Sequence, residues 1–186
     1  MPIPDFQSVM LPLLQSLADG QEHVHSDVID ALATQFKLIP EERKELLPSG
    51  RQEIFGNRVG WARTYMKKAG LVESTARGKY KITSRGHDIL LKKPARIDVK
   101  FLKQFPEFIE FHQAERKDGF DLDGEKGKPQ TPEELLESSY QDVRYTLAQS
   151  LLERIKQCSP KFFEKLVVEL LVAMGYGGSR RDAGQA

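Results

Sequence analysis

Asn57-Arg-Val-Gly-Trp-Ala-Arg-Thr-Tyr-Met-Lys-Lys-Ala-Gly70, followed at once by Leu71-Val-Glu-Ser-Thr-Ala-Arg-Gly-Lys-Tyr-Lys-Ile-Thr-Ser-Arg-Gly86, decides the fold. The first segment has helical spacing, with Val59, Ala62, Tyr65, Met66 and Ala69 on one face and Gly60, Trp61, Thr64, Lys67 and Lys68 on the other. The second reads as a strand, a tip containing Gly78, and a second strand that turns Tyr80 and Ile82 inward and Lys79 and Lys81 outward. Thr83 or Ser84 then caps a fresh helix. A basic helix followed by a two-stranded ribbon predicts a winged helix-turn-helix, in which one helix face packs and the other meets a phosphate backbone.

Net charge conceals this pattern, because 28 Lys and Arg stand against 27 Asp and Glu over the whole chain. From Arg51 to Lys93, however, eleven basic residues face three acidic ones, a net of +8. From Phe105 to Asp142 eleven acidic residues face four basic ones, a net of −7. A basic module with an acidic stretch behind it is the electrostatic footprint of a nucleic-acid reader that does not bind along its whole length.

Outward from the basic stretch, Phe6, Val9, Met10, Leu13, Leu14 and Leu17 predict a first helix, with Gly20 as its stop and Pro12 kinking or splitting it. Ser26 and Asp27 are the expected cap of a second helix that turns Val28, Ile29, Leu32 and Phe36 inward. Pro40 to Leu47 reads as a short third helix, and Asn57 as the cap of the basic one. This winged domain is expected to occupy residues 1–93. Residues 94–117, with Phe101, Phe105, Phe108 and Phe111, are too aromatic for a free linker and predict a helical extension folded back on it. Residues 118–130 hold three glycines, a proline and alternating charge, the composition of a flexible connector. Asp121-Leu-Asp-Gly124 within it lacks the spaced ligands of a calcium loop.

Thr131-Pro-Glu-Glu134 has a cap, a proline and a glutamate in the order that starts a helix. Leu136, Tyr140, Val143, Leu147, Leu151 and Ile155 continue it as a stripe over about 26 residues. Ser159-Pro160 opens a further helix to Gly175 whose Phe163, Leu166, Val167, Leu170, Leu171 and Met174 belong in the interior of a larger domain. Residues 131–186 therefore read as the helical beginning of a second domain. No apolar run has the length of a membrane span, the N-terminus lacks signal-peptide features, and the single Cys158 fits a reducing cytosol, so the expected location is cytoplasmic.

Leu47-Pro-Ser-Gly50, Asn57-Arg-Val-Gly-Trp-Ala-Arg63, Lys68-Ala-Gly-Leu71 and Ile82-Thr-Ser-Arg-Gly86, then Ser159-Pro-Lys-Phe-Phe-Glu164 and Met174-Gly-Tyr-Gly-Gly178, occur in an order that resembles the Mrr family of restriction endonucleases. The resemblance implies a winged-helix module that reads DNA, and behind it a magnesium-dependent nuclease domain of the PD-(D/E)XK type that cleaves modified, chiefly methylated, DNA. The overall expectation is a mainly α chain with a small β wing, followed by helices that begin a truncated α/β nuclease domain. By motif, Glu164 takes the place of the first-helix catalytic glutamate. The aspartate and the Gln-X-Lys strand of such a site have no counterpart in the chain, so cleavage by these 186 residues alone is not expected. No metal site and no bound cofactor are expected here, magnesium being a requirement of the complete nuclease.

The residues expected to meet double-stranded DNA are Arg58, Trp61, Arg63, Thr64, Lys67 and Lys68 on the helix and Arg77, Lys79 and Lys81 on the wing. Trp61 has two readings, stacking on DNA or packing in the core. Glu164 likewise reads as a carboxylate aimed into a cleft or as a solvated helix residue. His23 and His25 flank Val24, where they contact a phosphate or sit in a turn, without the Cys or Asp partners of a metal site. A stand-alone DNA-binding regulator with a helical dimerisation tail is the alternative function, and self-association is open in either case.

Overall fold

The protein is described here as a computed structural model covering residues 3–116 and 129–176. The described residues separate into two compact units, one ending at Ser138 and one starting at Ser139. The first is mainly helical with a small sheet. It runs through α1 (Phe6–Ser16), β1 (His23–Val24), α2 (His25–Gln35), α3 (Pro40–Arg43), α4 (Ile54–Lys68), β2 (Val72–Ala76), β3 (Lys79–Ile82), α5 (Ser84–Leu91), α6 (Val99–Leu102) and α7 (Pro106–Arg116), and includes the first turns of α8 (Pro132–Lys156).

Asp5 starts α1 by accepting hydrogen bonds from the backbone N–H groups of Gln7 and Ser8, each at 3.0 Å. Pro12 does not split the helix. The lost backbone bond costs a few kcal/mol, about 3, but Phe6, Val9, Met10, Leu13, Leu14 and Leu17 are all buried along the same face, and each contributes about 1.5–3 kcal/mol. The helix ends at Ser16, before Gly20.

Three helix boundaries differ from expectation, each because a strand or bridge takes the backbone first. Helix α2 begins at His25, not after Ser26 and Asp27, since β1 runs straight into it and the His25 N–H donates to the Gly78 carbonyl at 2.8 Å. Helix α3 stops at Arg43 because Leu46 pairs across with Glu53. Helix α4 begins at Ile54, so Asn57 is not its cap and lies a turn inside it, buried.

The expected hairpin is present. Strands β2 and β3 pair antiparallel with Val72 opposite Ile82 and Glu73 opposite Lys81, and Gly78 makes the turn at φ +73°. A third strand was not foreseen: β1 pairs with β3, His23 opposite Tyr80, giving the antiparallel order β1-β3-β2. Two residues are too few to show an alternation. Thr83 caps α5 by accepting from the Gly86 N–H at 3.1 Å. Gly86 admits the sheet against α5, since a Cβ there would lie 2.4 Å from the Leu71 carbonyl oxygen and 2.5 Å from Ile82 Cγ1.

The aromatic segment after Lys93 folds back on this core. Ile97, Val99, Leu102 and Phe108 are buried in it, while Phe101, Phe105 and Phe111 pack against it. The Val99 N–H also donates to the buried Gln7 side chain at 3.2 Å, tying α6 to α1.

The second unit contains the rest of α8 and α9 (Pro160–Ala173), the latter capped by Ser159. The α8 stripe residues Tyr140, Val143, Leu147 and Leu151 stand exposed, and so do Phe163 and Leu170 of α9, which the sequence expects in an interior. The described part of this unit is helical only. Up to residue 128, the expected connector lies outside the described residues, as does all of Asp121–Gly124. No helix among the described residues is long and apolar enough to cross a membrane.

Candidate nucleic-acid interface

Helix α4 is held by its inner face. Tyr65 is fully buried and meets Phe6, Phe108 and Phe111 edge-on, with ring centroids 5.4, 5.5 and 5.9 Å away. Val59, Ala62, Met66 and Ala69 are buried beside it, the set that the helical spacing predicts. The opposite face is thereby fixed outward, with Lys67 and Lys68 exposed and Arg63 and Thr64 half-buried.

These four residues line a shallow depression of about 630 Å³ together with Ser74 of β2 and Glu107, Glu110 and Phe111 of α7. Arg63 lies over the Tyr80 ring, its guanidinium carbon 5.6 Å from the centroid, and the Lys68 ammonium lies 4.7 Å from the centre of Phe111. Such stacking orients a cation while leaving its N–H groups free to donate. Thr64 donates its hydroxyl to the Gly60 carbonyl at 2.9 Å. Of the two carboxylates at the rim, Glu107 is neutralised by Arg85 at 3.0 Å, and that hydrogen bond holds its pKa below the usual carboxylate range.

On the hairpin, Arg77 is exposed in the turn. Lys79 reaches Glu22 at 2.8 Å and Lys81 reaches Glu73 at 3.2 Å. Glu22 also accepts from the Thr75 hydroxyl, and the hydrogen bonds from Lys79 and Thr75 lower its pKa. Both ion pairs are exposed, so each is worth little and can exchange for another anion.

The start of α4 is engaged inside the molecule. Arg58 sends Nε and Nη2 to Glu134 Oε1, each at 2.7 Å, and Nη1 to the carbonyls of Ile3 and Pro4 at 2.7 and 3.0 Å. Trp61 is half-buried, edge-on to Tyr65 at 5.8 Å, and its indole N–H donates to Glu133. Asn57 accepts from the Thr131 hydroxyl at 2.6 Å, a buried contact, and donates to Gln52 at 3.1 Å. The Thr131–Glu134 capping box forms, Glu134 accepting from the Thr131 N–H at 2.9 Å. Its sequence signal gave no hint that the same glutamate would also take Arg58.

Glu164 is exposed on α9. Among the described residues, no group of three or more His, Cys, Asp or Glu could hold a metal ion.

The first unit is thus a small helical domain with a three-stranded sheet, presenting one basic helix face beside a basic hairpin turn. Residues 6–92 match the family described as the Mrr N-terminal domain. The chain is 31% identical over 191 residues to the type IV methyl-directed restriction enzyme EcoKMrr of Escherichia coli (strain K12), an alignment covering 98% of this chain and 62% of that enzyme. The chain carries an Mrr N-terminal domain and is a homologue of that restriction enzyme, spanning less than two thirds of its length. No solved structure matches the chain.

Proposed function

We propose that the first unit is a winged-helix reader of double-stranded DNA, with α4 as the recognition helix and the β2–β3 hairpin as the wing. It serves as the targeting part of a restriction enzyme directed at methylated DNA, as its relative's name describes. The observation that carries the reading is the set Arg63, Thr64, Lys67 and Lys68, held outward on one rigid helix face beside Ser74 at the depression. Arg77, exposed in the hairpin turn, extends the basic set, and Lys79 and Lys81 join it when Glu22 and Glu73 release them. Arg58 and Trp61 support the domain from within and leave the contact set. Phosphodiester cleavage needs several metal-holding carboxylates, of which Glu164 supplies at most one.

The test is duplex binding by the full chain as a function of salt, with matched methylated and unmethylated duplexes. Each neutralised phosphate contributes about −0.9 to the slope of log affinity against log salt. Replacing Arg63, Lys67 and Lys68 with alanine flattens that slope, and an unchanged slope overturns the interface. The exposed stripe of Tyr140, Val143, Leu147 and Leu151 favours a second reading, a regulator that dimerises through α8. That reading requires a stable dimer in solution that Leu147→Glu dissolves.

A further inference from the structure

Tyr80 of β3 is buried, yet side chains from two other elements converge on its ring. The His25 ring stands edge-on to it with centroids 5.8 Å apart, and Nδ1 lies 3.3 Å from the phenolic oxygen. The Arg63 guanidinium carbon lies 5.6 Å from the same centroid. The His25 N–H is bonded to the Gly78 carbonyl, so His25 also adjoins the turn that carries Arg77. His25 therefore lies beside the hairpin, on the same ring that Arg63 of α4 contacts.

In the free protein this place disfavours a second positive charge. Burial lowers the His25 pKa below its ordinary value, and the charge of Arg63 lowers it further. The groups facing it are Arg63 from α4 and Tyr80 from β3. Lys79, the next residue on β3, is drawn to Glu22, and Asp27 in the first turn of α2 is exposed and accepts from Ser26 at 3.0 Å. The positive end of α2 acts in the same direction as Arg63. A phosphate diester reverses the balance, because its anionic oxygens accept charge-assisted hydrogen bonds from a guanidinium and an imidazolium together.

We propose that a backbone phosphate of the bound duplex sits between His25 and Arg63, and that His25 takes up a proton as it binds. This rests on the reading of α4 and the hairpin as the DNA face. DNA affinity then rises as pH falls, by up to about tenfold per pH unit for one linked proton.

The test is anisotropy titration of the full chain against an unmodified duplex across the neutral and mildly acidic range. His25→Gln, which keeps a hydrogen-bonding partner for Tyr80, should give a pH-independent affinity. At low pH its salt slope should be shallower than that of the unmodified chain by about 0.9. NMR titration of the His25 ring in the unmodified chain supplies a readout independent of any variant's folding, and its pKa should be higher with DNA bound. A pH-independent affinity of the unmodified chain, a pH slope retained in His25→Gln, or an imidazole pKa that does not rise on binding overturns the phosphate seat. Absence of duplex binding at every pH overturns the DNA-reading assignment itself.

Discussion

Arg58 and Glu134 lie 76 residues apart in the chain and meet through two nitrogens at 2.7 Å, with side chains only 19% and 9% exposed. An exposed pair contributes up to about 1 kcal/mol, and breaking a buried one costs about 3–5. Partial burial and the two carbonyls that Arg58 also serves place Arg58→Ala near 3 kcal/mol of lost stability, on the order of the lower buried values. Denaturant unfolding should show this loss, while the salt slope of duplex binding stays unchanged. A flattened slope would return Arg58 to the DNA face.

Phe108→Ala should destabilise the first unit by about 3–5 kcal/mol, the range for a large ring removed from a core. Phe108 is fully buried against Tyr65, so α7 belongs to the domain that α4 supports. Thermal unfolding measures the loss. Near-wild-type stability would mean that the aromatic extension is dispensable.

Gly86→Ala should cost about 1–3 kcal/mol by overpacking. The added methyl meets the Leu71 carbonyl at 2.4 Å, and backbone cannot rotate away as a flexible side chain can. A variant as stable as the parent would show that α5 shifts freely against the hairpin.

The free protein should lose stability as pH falls through the histidine range. His25 has a depressed pKa when folded, so the unfolded chain binds the proton more readily. Its contribution is fully present above the unfolded value of about 6.5 and is lost as pH falls toward the folded value. His25→Gln should remove that part of the acid limb in urea titrations, and an identical limb would assign it to other groups.

Much of this was legible in the residues. The inner face of α4 follows from 3.6-residue spacing, and the hairpin from the alternation at Lys79–Ile82 around Gly78. Both patterns are local, and burial of one face enforces them. The missed features depend on distant partners. Strand β1 exists because Tyr80 lies opposite His23, and Arg58 turns inward because Glu134 waits there. No spacing rule within one element carries such information. The interior that the apolar spacing of α9 predicts is not seen among the described residues, where Phe163, Leu170 and Met174 stand exposed.

The buried bond between Thr131 and Asn57 has a consequence for how this gene can drift. Both ends of the intervening segment are moored on the same core, by Phe108 before it and by Thr131 after it. With both ends held, the start of α8 is set by Thr131 and not by the number of residues that lead to it. Insertions and deletions between α7 and α8 should accumulate freely among homologues without changing where α8 begins, whereas the Asn57, Arg58 and Thr131 positions should tolerate almost none.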